Sequence, residues 1–426
     1  MQITALITEY NPFHNGHLYH LEQSRKLTSA DYIIVIMSGN FTQRAEPALL
    51  NKWARASQAL KCGADLVLEL PFVYNIRSAE YFAYFAVQSI QKSQLIDNIV
   101  FGSESGDLKL LQAVAEAFNN ENKHFKNNLS SYLNQGLNYP LAREKALLAS
   151  YHKYKQFKNF SATEIKNVLN SPNNILAIEY LKAIDRLNLN LRPFTIKRVG
   201  SSYHSQKTAG EFASASLLRE KIFNQNQLDK TNIKELVPKS AYQILEQEIK
   251  QGRYVGNSGK KSLLIKQLDL IRRQTIAELT AYPEINTDLA SRLLKTALYT
   301  KNDNFMQNLK AKNYTETRLK RNLLQIYFEL NEAKLSLLDK NGPSYLRVIG
   351  IKQGQEKLLK KLTQQASLPI ITNPAAFLRE PSYHNRDPLQ LALSYDILAS
   401  DLYCLLYQNH SWQQARKDYH QPLLKV

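Results

Sequence analysis

The sequence predicts an α/β fold, in which a parallel sheet with helical crossovers is followed by a mainly helical region. Over roughly the first hundred residues, short apolar runs rich in β-branched residues alternate with helical patterns. This alternation is typical of parallel strands joined by right-handed crossovers. Beyond about residue 223, leucine, isoleucine and alanine recur at three- and four-residue spacing, which indicates helices.

The elements can be assigned from these patterns in chain order. We expect strands at Ile3–Ile7, Tyr32–Met37, Leu66–Leu70 and Ile99–Phe101, and helices at roughly Gly16–Leu27, Lys52–Cys62 and Ala79–Ser93. Residues 107–170 break the alternation with helical patterns, so we interpret them as a helical insertion. A helix after Asn173 and a strand near Phe194–Val199 complete a first domain, residues 1–222, and residues 223–426 form the second. Within the second domain, Tyr345–Ile351 fits either a strand or an extended connector.

Composition limits the functional class. The 426 residues carry 55 Lys and Arg against 37 Asp and Glu, a formal net charge of +18. This excess favours a polyanionic partner, although a lysine-rich solvated surface would give the same count. The two cysteines, Cys62 and Cys404, can form neither a disulfide framework nor a zinc cluster, which indicates a reducing compartment. With no long apolar run, we expect a cytoplasmic protein without a membrane span.

The most informative motif follows the first predicted strand. His14-Asn15-Gly16-His17 opens the first predicted helix, so two imidazoles fall on one helix face near its N-terminus. Free backbone N–H groups and the helix dipole favour phosphate there, and Gly16 removes a side chain where a ligand must approach closely. We interpret His14 and His17 as donors to a nucleotide's phosphates. The alternative is a strand–turn–helix with incidental histidines.

Other polar positions are expected to join this site. His14, Gly39, Glu69 and Gly102 each follow a predicted strand, and parallel strands bind ligands beyond their carboxyl ends, so these residues should converge on one crevice. Gln43, Arg44, Glu46 and Lys52 form a polar cluster after the second strand. Arg44 could pair with phosphate or a carboxylate ligand, while Glu46 could hold Arg44 in place or act directly. No cluster has metal-ligand spacing, so no protein-bound metal is expected.

Several longer motifs together resemble one enzyme family. They are Glu9–His17, Met37–Ala48, Asp65–Pro71, Phe101–Glu104, Ser171–Leu176, Ile196–Arg198 and Tyr345–Val348. The set resembles the bacterial tRNA(Met) cytidine acetate ligases, within the nucleotidyltransferase superfamily that carries a His-x-Gly-His motif. The resemblance covers essentially the whole chain. One departure is Ala45, where the family pattern leads us to expect glycine.

The resemblance implies a Rossmann-like nucleotidyltransferase domain and a specific reaction. ATP would activate acetate as acetyl-adenylate, and the wobble cytidine of elongator tRNA(Met) would become N4-acetylcytidine; Mg²⁺ would arrive with ATP. His14 and His17 would be catalytic. The resemblance assigns ATP binding to Ile7, Thr8, Glu9, Tyr10, Asn11, Pro12, Phe13, His14, Asn15, Gly16, His17, Leu18, Tyr19, His20, Gly102, Asn173 and Arg198.

A second phosphate-binding element is implied further along the chain. Ser214-Ala215-Ser216-Leu217-Leu218-Arg219 resembles the loop by which cofactor adenylyltransferases hold the β- and γ-phosphates, and Ala215 replaces one of its hydroxyls. An ordinary Ser N-cap followed by a surface Arg would give the same spacing. Likewise, Asn173 after Pro172 could be a helix N-cap instead of an ATP ligand.

Basic clusters recur in the C-terminal half together with abundant tyrosines. Lys260, Lys261, Arg318, Lys320 and Arg321 are the residues that we predict to bind RNA. Phosphates pair with Lys and Arg, and unstacked bases pack on aromatic rings, as in recognition of a single-stranded RNA loop. Any single cluster could equally be a solvated helix face. Two other functions remain open: a small-molecule adenylyltransferase, against which the long basic region argues, and a non-catalytic RNA-binding protein, against which intact His14, His17 and Arg219 argue.

Overall fold

The computed structural model describes residues 1–198, 212–225 and 233–426. Eight strands of these residues form one sheet. The strands are β1 Ile3–Thr8, β2 Tyr32–Ser38, β3 Leu66–Leu70, β4 Asn98–Ser103, β5 Arg192–Lys197, β6 Leu346–Ile351, β7 Ile370–Ile371 and β8 Leu424–Lys425. Val199, at the end of a predicted strand, lies outside the described residues.

Helices cover both faces of the sheet and build most of the C-terminal half. In the N-terminal half they are α1 Asn15–Thr28, α2 Lys52–Lys61, α3 Phe72–Asn75, α4 Ala79–Ser93, α5 Leu108–Asn119, α6 Lys123–Asn134, α7 Tyr139–Ser150, α8 Ala162–Leu169 and α9 Pro172–Arg186. The later helices are α10 Ala215–Gln225, α11 Lys239–Lys250, α12 Asn257–Arg272, α13 Ile276–Leu279, α14 Thr287–Tyr299, α15 Phe305–Leu309, α16 Glu316–Tyr327, α17 Glu332–Asn341, α18 Glu356–Gln365, α19 Pro388–Cys404 and α20 Lys417–His420.

The sheet confirms the predicted α/β class and extends it. Its strand order is β5-β4-β1-β2-β3-β6-β7, with β8 paired to β6. The first five strands are mutually parallel, whereas β6 runs antiparallel to β3. The segment Tyr345–Ile351 is therefore a strand and not a connector, and every residue of β6 is buried. The C-terminal half thus contributes to the same sheet.

The predicted elements are present, with their ends moved by a few residues. Helix α1 begins at Asn15 instead of Gly16, and β4 extends to Asn98–Ser103. The predicted insertion contains α5 to α8, as its pattern indicated. The boundary that we place after residue 222 falls within α10, so the two proposed domains share a helix instead of a linker.

Strand side chains alternate between two cores, one on each face of the sheet. In β2, Ile34 and Ile36 belong to the larger core, while Ile33, Val35 and Met37 belong to the core under α1, α2 and α11. This period-2 alternation is what a strand buried on both faces requires. A third core joins α12 to α16. None of the described helices is long and apolar enough to cross a membrane.

The crevice that carries the site opens between β1 and β4. These two strands pair only at Thr4–Asn98 and Ala5–Ile99, whereas β1 and β2 pair along their full length to Thr8–Met37. The chain order reverses at this point, because β2 and β3 lie on one side of β1 and β4 and β5 on the other. A reversal of this kind leaves a ligand-binding crevice beyond the carboxyl ends of the strands.

Candidate active site

The first turn of α1 is closed by the side chain of His14. His14 is the N-cap residue, in an extended conformation, and its Nδ1 accepts a hydrogen bond of 3.0 Å from the Gly16 N–H. Because Nδ1 is an acceptor, the neutral imidazole carries its proton on Nε2. His14 is therefore set to donate a hydrogen bond from Nε2.

His17 stacks on His14 one turn later. The two ring centroids lie 3.7 Å apart with an interplanar angle of 26°. Tyr10 and Phe13 pack against His17, with centroid distances of 4.9 and 5.6 Å. Nδ1 of His17 is buried and has no hydrogen-bond partner among the described residues. The aromatic packing fixes both imidazoles and leaves a polar atom of His17 for a ligand.

His14, His17 and His20 are all held in the neutral form. Burial, together with the charges of Arg198 and Arg219, lowers the pKa of His14 to about 3. Burial also holds the pKa of His17 well below its usual value, with His14 and Arg198 adding to the effect, and lowers that of His20 to about 4. The site therefore combines neutral imidazole donors with nearby guanidinium charges, an environment that favours an anion.

Gly16 is also required by the ring of His14. A Cβ at this position would lie 2.9 Å from Cε1 and 3.0 Å from Nδ1 of His14. The His14 ring folds back over the helix end at this point, and Gly16 itself lines the cavity, so the close approach of a ligand stays a prediction. Glycine permits the cap, and the cap orients the donor.

A cavity of about 390 Å³ lies over these groups. Most of the predicted ATP-binding residues line this cavity: Ile7, Thr8, Glu9, Tyr10, Asn11, His14, Gly16, His17, Tyr19, His20, Gly102, Asn173, Arg198, Ser214, Ser216 and Arg219. Among the described residues, four predicted positions do not line it: Pro12, Phe13, Asn15 and Leu18. Of these, Phe13 is buried under His17, and Asn15 Nδ2 donates instead to the Glu235 carbonyl at 2.8 Å.

The start of α10 brings a second set of polar groups to the cavity. Ser214 is buried, and its hydroxyl accepts from the Leu217 N–H at 3.1 Å, so the N-cap alternative describes this serine correctly. Arg219 nevertheless lines the cavity: it donates to the Asn11 carbonyl at 2.5 Å and to the Ser216 hydroxyl at 3.3 Å. The arginine therefore joins α10 to the loop that precedes α1.

The N-terminus of α9 is occupied by a carboxylate from the residue that follows β4. The N-cap residue is Ser171, so the alternative that Asn173 caps this helix is wrong. Glu104 accepts from the backbone N–H groups of Asn173 and Asn174 at 3.2 and 2.9 Å and from Asn173 Nδ2 at 2.7 Å. This anion satisfies the free N–H groups of the helix and orients Asn173 at the cavity wall.

Sequence reasoning missed Arg55. This guanidinium is fully buried in α2 and donates to three backbone carbonyls: Leu50 at 3.0 Å, Glu9 at 2.6 Å and Gly39. Burial lowers its pKa to about 10. Arg55 ties the loop after β1 to the loop after β2. No signal marked it, because an arginine in a predicted helix is usually solvated.

Two of the four strand-end residues do not reach the cavity. His14 and Gly102 line it, whereas Gly39 and Glu69 face each other, with the Glu69 Oε1 2.6 Å from the position of a Cβ on Gly39. Glu69 also binds Lys52 Nζ at 2.8 Å, and Lys52 binds Asp418 at 2.7 Å. The expected convergence of Gly39 and Glu69 on the crevice is thus wrong, because Glu69 is drawn into a buried ion network with Lys52.

The buried ion network joins the two halves of the chain. Arg347 of β6 contacts Asp418 and lies 3.3 Å from Glu69, while Tyr345 donates to Asp396 at 2.5 Å. Burial, with the charge of Glu69 nearby, raises the pKa of Asp396 to about 7. Buried charges without partners cost several kcal/mol each, so the network holds the C-terminal strand and helices in register with β3.

Glu46 and the predicted RNA-binding residues take part in ion pairs. Glu46 binds Lys320 and lies 3.9 Å from Lys260. Lys261 is exposed near Asp303, and Arg318 and Arg321 both contact Glu284. Ala45 has a φ of +59°, a left-handed conformation that explains why the family pattern favours glycine there.

The donor set of the cavity consists of imidazoles, guanidiniums, amides and hydroxyls. Within the described ranges, no group of three or more histidine, cysteine, aspartate or glutamate side chains could hold a metal ion. Among the described lining residues, Glu9 is the carboxylate, and its Oε1 accepts from the Gln43 N–H at 2.8 Å. The arrangement suits a polyanionic ligand that brings its own cation.

Known proteins match this chain along its whole length. The family model of the HIGH nucleotidyl transferases matches residues 1–418. Proteins named tRNA(Met) cytidine acetate ligase from Halothermothrix orenii and Acetivibrio thermocellus are 42% and 36% identical to it, each over 100% of both chains. Crystal structures of Thermotoga maritima TmcAL, apo and bound with alpha-thio ATP, match over 100% of both chains with TM-scores of 0.90 and 0.88 at 31% and 30% identity. The chain therefore belongs to the HIGH nucleotidyl transferase family, among the tRNA(Met) cytidine acetate ligases.

Proposed function

We propose that this enzyme joins acetate to the wobble cytidine of elongator tRNA(Met) in two steps that consume ATP. One observation carries the proposal: two stacked, neutral imidazoles, His14 and His17, face Arg198 and Arg219 in a single cavity at the switch point of the sheet. The names of the relatives and the ATP analogue bound to the Thermotoga maritima structure support this interpretation.

The first step forms acetyl-adenylate. A carboxylate oxygen of acetate attacks the α-phosphorus of ATP, a new C–O–P linkage forms, the bond to the β-phosphate oxygen breaks, and pyrophosphate leaves with the electron pair. Charge builds on the phosphoryl oxygens during this displacement. The Nε2–H of His14 and the ring of His17 would donate to those oxygens, because donors held at fixed positions need no reorganisation during the reaction. Arg219 would hold the β- and γ-phosphates.

The magnesium ion would neutralise phosphate charge when it is bound with ATP. The cavity residues fit a metal that the phosphates and water hold, because Glu9 is the one carboxylate among the described lining residues and it already accepts from Gln43. The role of this chain's own residues is therefore to hold the nucleotide, to orient Nε2–H of His14 and to fix the loop at Glu9 through Arg55.

The second step transfers the acetyl group to RNA. The exocyclic N4 of cytidine attacks the carbonyl carbon of acetyl-adenylate, the C–O bond to AMP breaks, and the amine loses one proton, which gives N4-acetylcytidine and AMP. Residues 1–222 would hold ATP, and the basic helices of residues 223–426 would hold the tRNA. We place this reaction in the cytoplasm, where ATP, acetate and tRNA meet.

Isotope exchange between pyrophosphate and ATP tests the proposal. Exchange should require acetate and should proceed without tRNA, since the first step needs no acceptor. His17→Ala should lower the exchange rate by roughly 10²–10³, the usual effect of losing one donor to a developing oxyanion. His124→Ala, on an exposed residue of α6, is the matched control. Exchange without acetate, or full exchange in His17→Ala, would contradict the proposal.

A further inference from the structure

A cluster of opposite charges lies beside Arg219, at the edge of the cavity. We call it the mouth cluster; its members are Glu46 in the loop after β2, Arg219 of α10, Lys260 of α12 and Lys320 of α16. The Lys320 ammonium bonds to Oε1 of Glu46 at 2.5 Å, and Lys260 Nζ lies 3.9 Å from Oε2. Two helices that are distant in sequence from Glu46 therefore meet at its carboxylate, with the charge of Arg219 nearby.

The mouth cluster is continuous with the nucleotide site. Arg219 lines the cavity and contacts Asn11, and Glu46 stands two residues after Arg44, another lining residue. Lys260 Nζ lies 4.7 Å from the ring centre of Phe223, one turn beyond Arg219 on α10. A group bound between the two lysines would thus sit beside whatever the cavity holds.

The cations of the mouth cluster outnumber its carboxylate. Lys320 also binds Glu316 at 2.9 Å, but Glu316 is itself bound by Lys310 at 2.7 Å, so positive charge remains in excess. Burial lowers the pKa of Lys260; the charge of Glu46 opposes this shift, and the charges of Arg219 and Lys320 add to it. Cations held together against repulsion gain most from an additional anion.

Contact with Glu46 distinguishes the two lysines from the other predicted RNA-binding residues. The side chains of Lys260 and Lys320 are 33% and 29% exposed. Arg318 and Arg321, 31% and 11% exposed, contact Glu284 instead, and Lys261 is 72% exposed beside Asp303. Among these five residues, the first pair combines partial exposure with a position at Glu46, two residues from the cavity-lining Arg44.

We propose that Lys260 and Lys320, beside Arg219 at the edge of the cavity, form a phosphate subsite that binds the RNA phosphodiester next to the reacting cytidine. This inference rests on the proposed function. The same chemistry would suit the pyrophosphate end of ATP, but both lysines lie on the C-terminal helices α12 and α16, outside the sheet that holds the nucleotide. A phosphodiester held there fixes the cytidine over the activated acetyl group.

The experiment compares the two half-reactions in Lys260→Ala, Lys320→Ala and the double variant. Lys250→Ala, which removes an exposed lysine paired with Glu246 on α11, is the control. We expect the double variant to lose at least tenfold in kcat/KM for tRNA and to show a log–log salt dependence of tRNA affinity lower by about 0.7, since each neutralised phosphate contributes roughly 0.7 on single strands. Acetate-dependent pyrophosphate exchange without tRNA should stay within about twofold, and Lys320→Arg should restore most of the tRNA activity.

Each other outcome has a distinct meaning. If pyrophosphate exchange falls in parallel with tRNA acetylation, the lysines serve the triphosphate, and the RNA assignment is overturned. If the double variant behaves like Lys250→Ala in both assays, the mouth cluster binds no phosphate. If the unaltered enzyme shows no acetate-dependent exchange at all, the proposed function fails. This failure can be told apart from failure of the phosphate subsite, because it is seen in the enzyme without any substitution.

Discussion

Replacing Gly16 by alanine should lower the activity strongly while changing the free energy of unfolding little. The added Cβ would stand 2.9 Å from Cε1 of His14, tighter than real Cβ contacts allow, so the ring must rotate away from the helix end. Loss of the N-cap hydrogen bond costs about 0.5–2 kcal/mol. Alanine in a helix in turn gains roughly 0.8–1 kcal/mol over glycine. These two effects nearly cancel in stability.

The activity has no such compensation. Once the His14 ring leaves its place, Nε2–H no longer points at the phosphoryl oxygens, and the loss of one such donor costs roughly 10²–10³ in rate. Acetate-dependent pyrophosphate exchange measures this loss, and urea unfolding measures the stability. On a His14→Ala background the clash is absent, so Gly16→Ala should then have almost no further effect on exchange. Additive losses in this double-mutant cycle, or exchange near that of the unaltered enzyme in Gly16→Ala, would refute the steric argument.

Two further predictions concern stability. The pKa of His14 is about 3 and that of His20 about 4 in the folded protein, against about 6.5 when unfolded, so the stability that these neutral imidazoles contribute is complete above pH 6.5 and is lost as the pH falls towards 4. His20→Gln should therefore flatten the decline in unfolding free energy between pH 6.5 and 4. An unchanged slope would contradict the assigned shift. Replacing Arg347 by leucine leaves the buried carboxylates of Glu69 and Asp418 with too few cations and should cost about 3–5 kcal/mol in urea unfolding, whereas Arg273→Leu, an exposed i,i+4 pair, should cost less than about 1 kcal/mol.

Local patterns carried much of the fold and the centre of the site. The alternation of apolar runs predicted the parallel strands because each strand is buried on both faces. The motif at His14 was informative because helix capping and the spacing of His17 are properties of a few adjacent residues. Strand periodicity and helix capping depend on the backbone conformation and side-chain spacing of neighbouring residues, so they can be predicted from a short stretch of sequence.

Long-range pairings could not be predicted in the same way. Glu46 meets Lys320 across 274 positions, and Lys52 meets Asp418 across 366. Nothing in the spacing of charged residues distinguishes such a pair from a solvated helix face. The position of Glu69 at a strand end therefore predicted that it lies in the crevice, whereas Lys52 and Arg347 of β6 hold it in a buried ion network.

The sequence also did not predict that a carboxylate of the protein occupies the N-terminus of α9. The motif from Phe101 to Glu104 suggested the cavity wall, but only the structure places the Glu104 carboxylate on the N-terminus of α9, where a helix could have held a phosphate. The cap alternative for Asn173 failed for the same reason, because the capping group came from another segment of the chain.

The fate of the oxygen atoms of acetate tests the central claim most directly. Acetate labelled with ¹⁸O in both carboxylate oxygens is incubated with the enzyme, unlabelled ATP and tRNA, and the masses of AMP, pyrophosphate and the tRNA nucleosides are measured. If acetate attacks the α-phosphorus, one labelled oxygen appears in AMP, and the N4-acetylcytidine retains the other. Label in pyrophosphate or inorganic phosphate instead of AMP, or acetylation that requires acetyl-coenzyme A in place of acetate, would contradict the account.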